Sequence, residues 1–130
     1  SCSACDANPV TVRLPAARGK LPLMSLRALI IEDEPLYRRL LAQHVATGFE
    51  DPEVAELDPT HLEDPPDDLD LGGVDVVLLD DSPGPGSGIG WLRDLRARRG
   101  CPPVVYLLGA PSPEIEREAL AAGALACLSK

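Results

Sequence analysis

Two short apolar runs in this chain end in clustered carboxylates. Ala28–Ile31 leads straight into Glu32, Asp33 and Glu34, and Asp75-Val-Val-Leu-Leu-Asp80 ends in Asp80 and Asp81. Like charges placed together raise one another's energy unless a proton or a cation relieves them. The clusters therefore read as oxygen donors for a hard divalent cation such as Mg²⁺. That ion needs only one or two protein carboxylates when a phosphate completes its shell. Lys130 follows a third apolar stretch, Ala124–Leu128, and offers a point charge suited to phosphate oxygens. A carboxylate can itself attack a phosphoryl group to give an aspartyl phosphate, and a metal and a lysine would neutralise charge on the equatorial oxygens. Asp80 is the leading nucleophile candidate, because it ends the most central-looking strand beside a glycine-rich loop.

The elements that must position these groups alternate along the chain. Ala28–Ile31 reads as a strand buried on both faces. Pro35 suits the first residue of a helix. Leu36, Leu40, Leu41 and His44/Val45 then recur at helical spacing with Arg38 and Arg39 opposite, and Gly48 marks the end. Glu50–Asp70 holds ten acidic residues and four prolines. Val54–Leu57 is a short strand there, and Pro65-Pro66 limits Thr60–Leu69 to one helical turn. The acidity reads as a solvated surface. After the Asp80 strand, Ser82–Gly90 is rich in glycine, and Ser87 is a predicted N-cap for a helix Gly88–Arg98 with Ile89, Leu92 and Leu95 inward. Pro103–Leu108 is a third strand. Ser112 caps a helix Pro113–Ala122 with Ile115, Ala119 and Leu120 inward, and Gly123 closes it. Ala124–Leu128 is the last strand. Strand–helix alternation implies a parallel sheet with right-handed crossovers. All strand C-termini then share one edge, where open α/β sheets hold their sites. That edge collects Glu32, Asp33, Asp80, Asp81 and Lys130.

The chain has 130 residues, 45% of them hydrophobic, so one domain with its own core is expected, spanning 27–130. Residues 1–26 contain three prolines and lack helical periodicity. They read as an N-terminal tail or extension, with Val10–Leu14 a weak strand and Met24 a natural start. The net charge of −9 argues against nucleic acid as a partner, and no Lys or Arg falls between Arg39 and Arg93. Apolar runs fall well short of the roughly 20 residues that cross a bilayer, so no membrane partner is expected. No leader pattern is legible. Cys2, Cys5, Cys101 and Cys127 form no secreted-type framework, which suits a reducing, cytoplasmic compartment. Cys2-Ser-Ala-Cys5 is a lone CxxC and reads as tail rather than a metal or redox site.

The motifs Leu29-Ile-Ile-Glu-Asp-Glu-Pro35, Val76-Val-Leu-Leu-Asp80 with Gly88 beyond it, and Ala122-Gly-Ala-Leu-Ala-Cys-Leu-Ser-Lys130 resemble those of the receiver domains of two-component response regulators. The resemblance covers 27–130. It implies a flavodoxin-like doubly wound sheet of five parallel strands in the order 2-1-3-4-5. It also implies Mg²⁺ held by Glu32, Asp33, Asp80 and the Ser82 backbone carbonyl, a phosphoacceptor at Asp80, and Lys130 against the phosphoryl group. A histidine kinase or phosphotransfer protein would be the donor, an output domain or effector the reader, and a homodimer a further expectation. Any catalysis would be confined to Asp80's own phosphorylation and dephosphorylation.

This sequence departs from the family at several positions. Leu108 stands where the family has a hydroxyl residue, and Cys127 where it often has an aromatic one. The proline usual after the acceptor falls one residue early, at Pro83, with Gly84 in its place. The second helix is broken by Pro65-Pro66, and the family's last helix has no counterpart in 27–130, which leaves one sheet face under-covered. These departures favour a second reading, a pseudo-receiver interaction or dimerisation module without switching. A third, a nucleotide hydrolase using Gly84–Gly88 as a phosphate cradle, lacks the lysine that such a loop needs. His44, His61, Trp91 and Tyr106 read as surface or packing residues.

Overall fold

A computed structural model describes residues 26–49 and 51–130. The CxxC, Val10–Leu14 and Met24 lie outside the described residues. The elements are β1 (Arg27–Ile31), α1 (Pro35–Gly48), β2 (Glu53–Leu57), β3 (Val76–Asp80), α2 (Gly88–Ala97), β4 (Val104–Leu108), α3 (Pro113–Ala121) and β5 (Ala126–Ser129). The five strands form one parallel sheet in the order β2-β1-β3-β4-β5. The parallel sheet is the one expected from the strand–helix alternation, and its order is the flavodoxin-like one that the resemblance implies.

Alternation within each strand sends successive side chains to opposite faces. Leu29, Ile31, Val77, Leu79, Val104, Tyr106 and Leu108 enter the main core with Trp91, Leu92 and Leu95 of α2 and Ala119 of α3. Burial of each such leucine or valine stabilises the fold by roughly 1.5–3 kcal/mol. Ile89 packs at the rim of this cluster. Ser87 Oγ accepts from the Gly90 amide at 3.1 Å, and Ser112 Oγ from that of Ile115 at 3.2 Å. Both predicted caps therefore start their helices.

Two predicted helix faces are corrected. In α1 no residue is buried, and Leu36 is 80% exposed. Leu40 is exposed as well. α1 packs over β1 and β2, so its stripe overhangs the side of the sheet where Leu128 is also exposed. In α3 only Ala119 is buried, while Ile115 and Leu120 are exposed. The small alanine side chain lets this nine-residue helix sit close, and the larger residues flank the contact.

No helix forms between β2 and β3. Residues 58–75 are turns and loop instead, as Pro65-Pro66 requires. The segment is braced by α2. Trp91 Nε1 donates to the Glu63 carbonyl at 3.0 Å, and Arg98 Nη1 and Nη2 donate to those of Pro66 and Pro65 at 2.9 and 3.3 Å. Leu62, Leu69 and Leu71 pack against the core, so the loop covers the sheet where a helix would otherwise lie.

Candidate functional site

β1 and β3 lie side by side in register, Ile31 opposite Leu79. Their C-terminal ends therefore deliver Glu32 and Asp80 to the same point. Carboxylate oxygens of Glu32, Asp33 and Asp80 lie within 4.8 Å of one another. Glu32 is fully buried, Asp80 is buried and Asp33 is half-buried. β5 brings in the cation. The Lys130 amide donates to the Leu108 carbonyl at 2.9 Å, and Lys130 Nζ lies 3.0 Å from Glu32 Oε1 and 2.6 Å from Asp80 Oδ1.

The third carboxylate of the run has another task. Glu34 Oε1 accepts from the amides of Leu36 and Tyr37 at 2.8 and 3.1 Å, so Glu34 is the N-cap of α1. Its own amide donates to Glu32 Oε2 at 3.1 Å. Asp81 also stands apart from the cluster. Its Oδ2 accepts from the Gly109 amide at 3.1 Å and ties the end of β3 to the end of β4.

Burial raises the Glu32 carboxyl above the usual range, helped by the neighbouring Asp80 charge, while Lys130 and the Glu34 amide pull the other way. Burial alone would lower the Lys130 ammonium. The Asp80 and Glu32 contacts outweigh it, so the group is held protonated beyond the ordinary lysine value.

Glu32 Oε1 and Asp80 Oδ1 are buried, and among the described residues only the Lys130 ammonium offsets their charge. Three carboxylates with two such oxygens fit a hard, oxygen-seeking divalent cation. Ser82 lies two residues beyond Asp80 in the same loop. There the Gly84 amide donates to Asp33 Oδ2 at 3.3 Å, so the loop is fastened to the cluster. Gly84 has φ +57°, and a β-carbon on it would run into the Pro59 carbonyl. The face of the loop that a phosphate cradle would need is thus occupied by the 58–64 segment.

Leu108 is buried at the end of β4 and Cys127 is half-buried in β5; neither brings a hydroxyl or a ring to the edge. Two contributors escaped the sequence reading. Arg38 donates to the Glu32 carbonyl and pairs with Glu56 at 3.2 Å. Tyr37 places its ring 4.9 Å from Lys130 Nζ. Their i+5 and i+6 spacing from Glu32 was the available signal, since the first helical turn after a strand folds back over the strand's end. His44 and His61 are exposed and take no part.

No family model matches this sequence, and no curated protein matches it. Solved structures do. A signal receiver domain of the DNA-binding response regulator merR from Colwellia psychrerythraea 34H superposes with a TM-score of 0.70 at 23% identity, over 82% of this chain and 86% of that one. The chain has the fold of a response regulator receiver domain. The BeF3-activated N-terminal receiver domain of Klebsiella pneumoniae RstA matches with a TM-score of 0.62 at 24% identity, over 80% and 85% of the two chains. The response regulator ChrA of a heme-sensing two-component system gives 0.62 at 29% identity. That match spans 81% of this chain and about half, 49%, of ChrA. Within the receiver fold, the acidic cluster occupies the C-terminal strand edge, where open α/β sheets hold their sites. Among the described residues, no helix is long and apolar enough to cross a membrane.

Proposed function

We propose that this chain is a phosphoacceptor receiver domain in two-component signalling, with Asp80 as the acceptor and a histidine kinase or phosphotransfer protein as the donor. The observation that carries the reading is the meeting of Glu32, Asp33 and Asp80 within 4.8 Å, with Lys130 Nζ 2.6 Å from Asp80.

In the transfer, an Asp80 oxygen attacks phosphorus as the bond from phosphorus to the donor nitrogen breaks. The bonding electron pair stays on the donor imidazole nitrogen, which takes up a proton from solvent. Mg²⁺, held by Glu32, Asp33, Asp80 and the Ser82 carbonyl, would supply charge neutralisation at the phosphoryl oxygens. Lys130 adds fixed positive charge on the same edge. The domain is a signalling element of the cytoplasm rather than a turnover enzyme, and its output lies with an effector or a further domain.

Incubation with acetyl phosphate or phosphoramidate and Mg²⁺, read by intact mass, tests this. A single phosphoryl adduct lost in Asp80→Asn is expected; no adduct from either donor overturns it.

Buried Leu108 and exposed Leu36, Leu40 and Leu128 favour one other reading, an interaction or dimerisation module that keeps the receiver fold without switching. Concentration-dependent association unaffected by phosphoryl donors and by Asp80→Asn would select it.

A further inference from the structure

We infer that Tyr37 is a positioning residue for Lys130, its ring holding the ammonium against Glu32 and Asp80. This rests on the phosphoacceptor reading for its purpose, but not for its geometry.

A lysine ammonium rides on four flexible methylenes and does not keep one place unaided. Here the Lys130 backbone is fixed by its bond to Leu108, and its side chain is 23% exposed. Nζ has two carboxylate contacts, at 3.0 and 2.6 Å, and the Tyr37 ring centroid at 4.9 Å. That last distance is within the reach of a cation–π attraction, which strengthens as water is removed. It is the only such contact among the described residues.

Tyr37 is in turn held by the acid run. Its amide donates to Glu34 Oε1, and the Glu34 amide donates to Glu32 Oε2. The contacts close a ring: Glu32 to Glu34, Glu34 to Tyr37, Tyr37 to Lys130, and Lys130 back to Glu32. Leu108 at the end of β4 offers no hydroxyl, and Cys127 in β5 offers no ring. The aromatic group comes from α1. It shields one side of the ammonium from solvent, so the positive charge stays beside Asp80, where the phosphoryl oxygens would carry negative charge.

The test uses the full chain with labelled lysine. The sequence holds two lysines, Lys20 and Lys130, and Lys130→Arg assigns the signal. In the wild type, Lys130 side-chain protons are expected to show contacts to the Tyr37 ring and an upfield ring-current displacement. Both persist in Tyr37→Phe, and the displacement disappears in Tyr37→Leu. Acetyl phosphate labelling with Mg²⁺ should be within about twofold of wild type in Tyr37→Phe and about threefold to tenfold slower in Tyr37→Leu, with Mg²⁺ affinity unchanged. Absence of ring contacts in the wild type, or an unchanged Lys130 signal in Tyr37→Leu, overturns the inference. So does Tyr37→Phe labelling as slowly as Tyr37→Leu. Failure of the wild type to accept phosphate overturns the phosphoacceptor reading instead and leaves the Lys130 signals to decide this one.

Discussion

Arg38 donates from Nη1 to the backbone carbonyl of Glu32 at 2.7 Å. One side chain on the first turn of α1 thus fixes the backbone at the exit of β1, while its Nε reaches Glu56 on the outer strand. A hydrogen bond from a charged donor contributes about 1.5–3 kcal/mol. Arg38→Ala is therefore expected to lower stability by about 2 kcal/mol. It should also weaken Mg²⁺ binding, because the Glu32 carboxylate depends on that backbone. Urea titration with and without Mg²⁺ measures both; an unchanged midpoint would contradict the role.

Lys130 is the only cation paired with Glu32 or Asp80 among the described residues. Lys130→Met leaves two buried carboxylates uncompensated, a change expected to remove about 3–5 kcal/mol. Added Mg²⁺ should restore much of that loss in the variant and less in the wild type. Thermal melts of both proteins across a magnesium series check the difference.

Gly88 and Tyr106 share one small space, since a β-carbon at 88 would collide with the Tyr106 hydroxyl and with the Asp81 carbonyl. Gly88→Ala should destabilise by about 1–3 kcal/mol through overpacking. Tyr106→Phe in the same chain should recover part of it by removing one of the two obstacles. A double-mutant cycle on denaturation midpoints shows whether the coupling exists.

Burial, with Asp81 and Asp80 nearby, raises the Tyr106 phenol well above the ordinary value of 10.0. In the unfolded chain the phenol ionises first, so the native state holds the extra proton. Stability from this group is complete below the unfolded value and declines as pH climbs past about 10. Stability measured from pH 8 upward should fall steeply in the wild type and more gently in Tyr106→Phe. Superimposable slopes would contradict the burial of that hydroxyl.

Much of this was legible because it is local. Apolar runs of four or five residues, each ending in Asp, Glu or Lys, announce strands and place their last side chains on a common edge. Glu32, Asp33, Asp80 and Lys130 were found that way. What the pattern hides is long-range. Tyr37 reads as one more helix residue until β5 brings Lys130 beneath it, and Arg38 reads as solvent-facing until β2 supplies Glu56. The exposure of Leu36 and Ile115 depends on what lies opposite each helix, which periodicity does not encode. Glu34 looked equal to its neighbours, yet its place before Pro35 makes it a cap, a role that the helix-start chemistry alone could have revealed.

The brace between α2 and residues 58–75 sets an order of melting. The carbonyls of Glu63, Pro65 and Pro66 accept from the Trp91 and Arg98 side chains rather than from a helical ladder. Amides of this stretch lack ladder protection and will exchange with deuterium ahead of those in β1, β3 and β4. The segment can peel off the sheet without unravelling any helix of its own. When it does, Gly84 loses the wall formed by Pro59, and the loop fastened to Asp33 is the first part of the acidic edge to loosen.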